Sequence, residues 1–228
     1  MSRADLVAAY RELIARGLSQ GTSGNVSIRR AGTMLITPSA LPATAMRAAD
    51  IAEMALAGDG AWKGPAKPSS EWRMHRDIYR ARPEVGAIVH AHPPHATAMA
   101  MARKPIPAAH YMVAAFGGGD VPCAPYATFG TAELSAVAVT ALRGRTACLL
   151  ANHGCLALGR NLADALWRAV ELETLAQQYL LSLAAGPVLL SKRELADALA
   201  AFGAYRGRTS SSAEDAAPTR SRRRSAAR

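Results

Sequence analysis

The chain has 228 residues, half of them hydrophobic and only 5% aromatic, with a net charge of +10. No stretch approaches the ~20 uninterrupted apolar residues of a membrane span, and the N-terminus lacks the long apolar region of a signal peptide. Three cysteines, Cys123, Cys148 and Cys155, form no C-x-x-C pair, which points to reduced thiols in a cytoplasmic protein and away from a disulfide framework.

In chain order, the apolar spacing of Leu6, Ala9, Tyr10, Leu13 and Ile14 predicts a helix over Asp5 to Arg16, stopped by Gly17. Gln20 to Ile28 opens as a Gly/Ser/Asn turn able to offer N–H groups and hydroxyls to an anion. It leads into a short strand, Val26 to Arg29, then a turn and a second strand, Met34 to Thr37. A loop covers Pro38 to Pro42. Asp50 to Ala57 is mixed, and Gly58-Asp-Gly60 is a turn signal. After Pro68, Ser69 or Ser70 is expected to cap a helix that ends before Pro83, with Glu71 in its first turn, where the dipole favours a carboxylate.

Val85 to Val89 reads as a buried strand running into His90-Ala-His92. Side chains two apart on a strand share a face, so two imidazoles end this strand side by side before Pro93 and Pro94 stop it. Phe116 to Asp120 reads as a loop or bulge, and Val121 to Tyr126 as an edge or irregular segment. A helix is expected over Thr131 to Leu142 and a buried strand over Thr146 to Ala151, ending in Asn152-His153-Gly154, with extended chain on to Gly159. The longest helix spans Leu162 to Leu183, and Ser191-Lys-Arg-Glu194 is a capping box for a last helix to about Phe202. The mixture of short and helix-crossed strand connections predicts a mixed sheet with helices on both faces. No G-x-G-x-x-G pattern, P-loop or internal repeat occurs.

The charge is unevenly placed. From Arg206 onward, seven arginines against Glu214 and Asp215 give +5. This Ser/Ala/Arg-rich tail has too little apolar surface to offset its ordering. The expected division is a catalytic domain over 1–205 and a disordered basic tail over 206–228, with no specific nucleic-acid partner and no membrane.

Three histidines, His90, His92 and His153, fall where strands end; His75, His95 and His110 do not. A same-face pair plus a third at another strand end suits a three-nitrogen metal site that keeps one position open. Such an ion acts as a Lewis acid on a carbonyl. Glu71 is the carboxylate placed to fill the open position or to act as base.

Five segments, Gln20-Gly-Thr-Ser-Gly-Asn-Val-Ser, Met34-Leu-Ile-Thr-Pro-Ser, Pro68-Ser-Ser-Glu-Trp-Arg, Val89-His-Ala-His and Asn152-His-Gly, together resemble the class II aldolase/adducin family. The likeness is strongest to its L-fuculose 1-phosphate type and runs over about Ala8 to Tyr205. It implies a three-layer α/β/α fold around a central mixed, largely antiparallel sheet. It implies Zn2+ on His90, His92 and His153, with Glu71 as resting ligand and acid/base. Gly24, Asn25, Ser39, Ser69 and Ser70 would hold a substrate phosphate without a lysine. Tyr111 would act on the aldehyde oxygen from a neighbouring subunit of a homotetramer, and Phe129 and Tyr205 would line the aldehyde side.

The implied reaction is reversible cleavage of a ketose 1-phosphate to dihydroxyacetone phosphate and a short aldehyde such as lactaldehyde. The alternatives are 5-deoxyribulose or 5-methylthioribulose 1-phosphate as substrate, epimerase or decarboxylase chemistry on the same site, and a non-catalytic adducin-like binding module. The chain departs from the family at Ala40, where the phosphate loop has glycine, and at Pro93-Pro94.

Overall fold

Ser2 starts the first helix earlier than the apolar spacing suggests. Its hydroxyl accepts the Asp5 N–H at 3.2 Å while the Asp5 carboxylate accepts the Ser2 N–H at 2.6 Å. This reciprocal cap satisfies two otherwise orphaned donors, so α1 runs Arg3–Ala15. The computed structural model describes residues 1–202; Tyr205 and the basic tail lie outside the described residues.

The strands are β1 (Asn25–Arg29), β2 (Thr33–Ile36), β3 (Ala52–Ala55), β4 (Trp62–Lys63), β5 (Ala87–Ala91), β6 (Ile106–Pro107), β7 (Asp120–Val121), β8 (Cys123–Ala124), β9 (Ala147–Leu150) and β10 (Gly154–Gly159). The helices that follow α1 are α2 (Trp72–Ala81), α3 (Pro94–Met101), α4 (Ala132–Ala141) and α5 (Leu162–Ser182). Residues 192–202 form the expected last helix as far as they are described. Its capping box is present: Ser191 N–H donates to Glu194 at 2.8 Å and Glu194 N–H to the Ser191 hydroxyl at 3.2 Å.

Eight strands form one sheet in the order β4-β3-β2-β1-β5-β10-β9-β8. Every pairing is antiparallel except β8 with β9 at one edge. The expected mixed, largely antiparallel sheet is therefore observed. Period-two alternation divides its side chains between two cores. Val26, Ile28, Ala87, Val89, Ala147 and Leu149 pack with α1, α3 and α5. Met34, Ile36, Ile88, Leu150, Leu156 and Leu158 pack with α2 and α4. Helices thus cover both faces, giving three layers.

Three local expectations change. The mixed segment after Asp50 is strand β3, because Ala52 and Met54 alternate into the core. Pro93 and Pro94 stop β5 as expected, but Pro94 also opens α3, where a fixed φ and a missing N–H suit the first helical turn. Neither Ser69 nor Ser70 caps α2: Glu71 is its N-cap residue and its side chain makes no capping bond. The Ser69 hydroxyl instead accepts the Glu71 N–H at 3.3 Å. The extended chain expected from His153 to Gly159 is strand β10, which turns back on β9 as an antiparallel hairpin.

Candidate active site

The register of β1 and β5 sets the floor of the site. Asn25 stands opposite His90 and Ser27 opposite Ile88, so Asn25 and Ser27 share the sheet face of His90 and its α2-side neighbours. The Asn25 amide donates to Glu71 Oε2 at 3.0 Å. Glu71 Oε2 also lies 3.0 Å from His90 Nε2, and Oε1 lies 3.3 Å from His153 Nε2. His92 Nε2 is 2.9 Å from His90 Nε2.

His153 arrives through the β9–β10 turn. Asn152 takes a left-handed φ of 54° there, a conformation asparagine tolerates better than most residues. Its N–H donates to the Ala100 carbonyl at 3.0 Å, and its side-chain oxygen accepts from Arg103 at 2.7 Å. The turn that carries His153 is therefore bound to the C-terminal end of α3, the helix that begins just after His92. At the other end of α3, Glu173 of α5 accepts the N–H groups of His95 and Ala96 at 3.0 and 2.8 Å. Nothing in the pattern of apolar residues announced this long-range cap.

Two glycines permit the close approach. A Cβ on Gly24, which has φ +75°, would sit 2.6 Å from Ser19 Oγ and 2.8 Å from the His90 carbonyl. A Cβ on Gly154 would sit 2.5 Å from both the Ala91 carbonyl and the His92 ring.

His90 Nδ1–H donates to the Cys155 carbonyl at 2.9 Å, so a neutral His90 ring keeps its lone pair on Nε2. That nitrogen faces a carboxylate oxygen and a second imidazole nitrogen; burial acts to lower His90, but the charge and hydrogen bond of Glu71 outweigh it and raise it, a proton standing where a cation could. Burial and then the nearby imidazoles push His92 down to about 3. Burial and then His90 push His153 down to about 4. Both rings are thus neutral at pH 7, the form able to bind a metal ion. Burial acts to raise the Glu71 carboxyl, but the charge and hydrogen bond of His90, with His153 and Asn25, outweigh it and hold Glu71 well below the usual carboxylate range. One ligand nitrogen from each of His90, His92 and His153 lies within 4.8 Å of the others. Glu71 Oε1 is buried without a hydrogen-bond partner among the described residues. Converging lone pairs and an unpartnered carboxylate oxygen fit a divalent cation, which would balance their charge.

A cavity of about 340 Å³ opens above these groups. Gly24, Asn25, Ser39, Ser69, Ser70, Glu71, His92, His153 and Phe129 all line it, while His90 lies buried behind them. Asn25 is committed to Glu71 through its amide, so its side chain orders the carboxylate as well as lining the expected phosphate pocket. Ala40 lines the same wall with φ 55°, the conformation that makes glycine the easier residue there. Tyr126 and Ala127, not singled out from the sequence, add apolar lining with Phe129. No lysine among the described residues lines the cavity. Tyr111 stands apart from it: 54% exposed at the start of a 3-10 helix, its ring 6.1 Å from that of Phe202.

Residues 4–180 match the family model of the class II aldolase and adducin N-terminal domain. A 5-methylthioribulose-1-phosphate/5-deoxyribulose-1-phosphate aldolase of Rhodospirillum rubrum is 50% identical over 204 residues, covering 89% of this chain and 91% of its own. An L-fuculose phosphate aldolase of Escherichia coli is 48% identical over 196 residues, covering 85% and 90%. Among solved structures, an L-fuculose 1-phosphate aldolase superposes with a TM-score of 0.84 at 40% identity, covering 88% of this chain and 95% of that one.

Proposed function

The chain belongs to the class II aldolase and adducin family, on its aldehyde-lyase side, and on that premise we propose that it cleaves a ketose 1-phosphate between C3 and C4. The products are dihydroxyacetone phosphate and a short aldehyde. The observation that carries this reading is the meeting of Glu71 with His90 and His153, and of His92 with His90, on the floor of a cavity whose wall includes Gly24, Ser39, Ser69 and Ser70. Those hydroxyls and the backbone N–H groups beside them suit a phosphate held without a lysine.

His90, His92 and His153 would hold Zn2+, with Glu71 as the fourth ligand at rest. Such an ion supplies Lewis acidity to the substrate's ketone oxygen. The protein's own groups do the rest. Asn25 and the Ser69 hydroxyl fix Glu71, whose carboxylate moves the proton that ends on the carbon freed by bond cleavage. The phosphate pocket anchors the substrate, so that the bond to be broken is held in one orientation. Tyr111 would move the proton on the C4 oxygen from a neighbouring subunit; its exposure and its distance from its own chain's cavity support that arrangement within a homotetramer. Three free thiols fit a cytoplasmic location.

L-fuculose 1-phosphate, giving lactaldehyde, is the first substrate to test. A second reading is 5-deoxyribulose or 5-methylthioribulose 1-phosphate. It is favoured by the apolar lining that Tyr126, Ala127 and Phe129 contribute and by the relative from Rhodospirillum rubrum. The test is release of dihydroxyacetone phosphate from each ketose 1-phosphate by the purified, zinc-loaded protein. Turnover of one or more supports the reaction class and ranks the substrates. No turnover of any of them refutes it.

A further inference from the structure

Beneath the site lies a polar cluster that the reaction above leaves unused. His75 and Tyr79 lie four residues apart on one face of α2, and Glu71 stands four residues before His75, at the N-cap. Facing them on β1, two residues apart and therefore on one side of the sheet, are Asn25 and Ser27. The two elements meet through two rungs. The upper rung is Asn25 to Glu71 at 3.0 Å. In the lower rung, Ser27 Oγ lies 2.7 Å from His75 Nδ1 and 2.9 Å from the Tyr79 hydroxyl. Ser27 and His75 are completely buried and Tyr79 almost so.

The direction of the lower rung follows from satisfying its donors. If His75 Nδ1–H donated to Ser27 and Ser27 to Tyr79, the Tyr79 proton would have no acceptor among the described residues, and His75 Nε2 would be an unused acceptor as well. If Tyr79 O–H donates to Ser27 and Ser27 O–H to His75 Nδ1, only the proton on His75 Nε2 is left over. The second arrangement strands fewer buried groups. It requires a neutral ring, and burial followed by the charge of His90 pushes this imidazole down to about 3.

Met74 and Ile78 turn the apolar side of α2 to the sheet, and the two rungs tie polar atoms of that side to β1. Glu71 sits at the N-cap position, with non-helical φ −99° and ψ 13° and no capping bond from its side chain, so helix geometry alone does not aim its carboxylate. We propose that His75 is a positioning residue: through Ser27, shared with Tyr79, it sets the rotation and height of α2 on β1 and so places Glu71 against His90. The role rests on the metal-site reading above and deepens it.

The test uses the full-length protein in its wild-type, Ser27→Ala, His75→Leu and His75→Asn forms. Each is loaded with Co2+ for its absorption spectrum and with Zn2+ for metal affinity, kcat and KM. Thermal unfolding is followed in parallel. His75→Leu keeps apolar bulk without the rung. His75→Asn offers Ser27 an amide oxygen near the lost Nδ1. Ser27→Ala removes the rung by the smallest change. We expect Ser27→Ala and His75→Leu to shift the visible Co2+ bands and to lower kcat about tenfold or more, the scale seen when groups that orient metal ligands are removed. KM should change less than kcat, and His75→Asn should recover most of both signals.

Wild-type Co2+ bands and kcat in folded Ser27→Ala would overturn the proposal, leaving His75 a structural residue. So would a loss of kcat in all three variants that merely follows the fraction unfolded. If the wild-type protein cleaves no ketose 1-phosphate, the reaction assignment fails, while the Co2+ spectra still decide the role of His75.

Discussion

Glu71 Oε2 and His90 Nε2 face each other at 3.0 Å, both buried, one from the start of α2 and the other from the end of β5. With Nδ1 of His90 already donating to the Cys155 carbonyl, this contact places a carboxylate against a ring nitrogen that otherwise offers only a lone pair. A cation between the two groups resolves that conflict, and so does a proton. The choice between them gives the site its chemistry.

Replacing Glu71 by Gln preserves the shape of the side chain and removes its proton-carrying oxygen. The three imidazoles remain, so the Glu71→Gln protein should retain metal. Turnover should fall by about 10²–10⁴-fold, the range for loss of a positioned acid/base. Metal analysis and kcat on the same sample check this; near-normal turnover would assign the proton transfer to another group.

Thorough chelation should abolish lyase activity, and Zn2+ should restore it. Because the metal binds only the assembled site, it should also raise the unfolding temperature. At free zinc about 1,000-fold above Kd the gain is about 4 kcal/mol. Calorimetry of the stripped and reloaded protein measures the shift. Activity that survives metal removal contradicts the metal-dependent mechanism.

Ala40 holds a left-handed φ of 55° on the cavity wall. An L-residue there costs about 1–2 kcal/mol, partly offset by the lower backbone entropy of alanine in the unfolded chain, worth about 0.4–1 kcal/mol. Ala40→Gly should therefore stabilise the protein by about 0.5 kcal/mol and leave kcat little changed. Denaturant midpoints read the difference. A destabilised variant would mean that the Ala40 methyl makes favourable contacts that outweigh its strain.

Glu173 accepts two backbone N–H groups at the start of α3 and the ring N–H of His95 at 2.7 Å. Glu173→Ala strands these donors, at a cost of about 1–3 kcal/mol each where they remain buried. Since α3 joins the His92 end of β5 to the turn bearing His153, zinc affinity should fall along with the unfolding temperature. Isothermal titration of the stripped protein tests the second effect; unchanged affinity would show that α3 holds its place without the cap.

Glu71→Gln and Tyr111→Phe should each be nearly inactive alone. Co-refolded in equal amounts, they should regain activity, because some interfaces then pair an intact Glu71 with an intact Tyr111 from a neighbour. Mixtures as inactive as their components would place Tyr111 in its own chain's site or outside the reaction.

Much of this site is legible in residues 20–39, 68–73 and 89–92, because their roles are local. Strand parity alone puts His90 and His92 on one face, and glycine at position 24 marks a backbone that must pass close to another. Ala40 stood out as a departure, and its left-handed φ supplies the reason. Other features were less legible. The residues of β3 give a weak pattern because the strand is only four residues long. The Ser69-Ser70 pair imitated a cap for α2, and the Pro93-Pro94 pair imitated a mere stop before α3. A capping preference is worth about 1 kcal/mol, small enough for the surrounding packing to redirect the side chain.

What the amino-acid sequence determined by itself is the chemistry on offer: three imidazoles at strand ends, a carboxylate, a hydroxyl-rich loop pair, and the alternation that buries one sheet between two helical layers. What only the tertiary structure decided is their convergence. The β9–β10 reversal brings His153 to the end of β5, α3 ties that turn to His92, and the packing of α2 on β1 makes the carboxylate expected in a helix's first turn a neighbour of His90. Periodicity is a property of adjacent residues and survives in the chain as written. The distance between side chains on separate elements is set by how two cores close around one sheet, and no local pattern carries it.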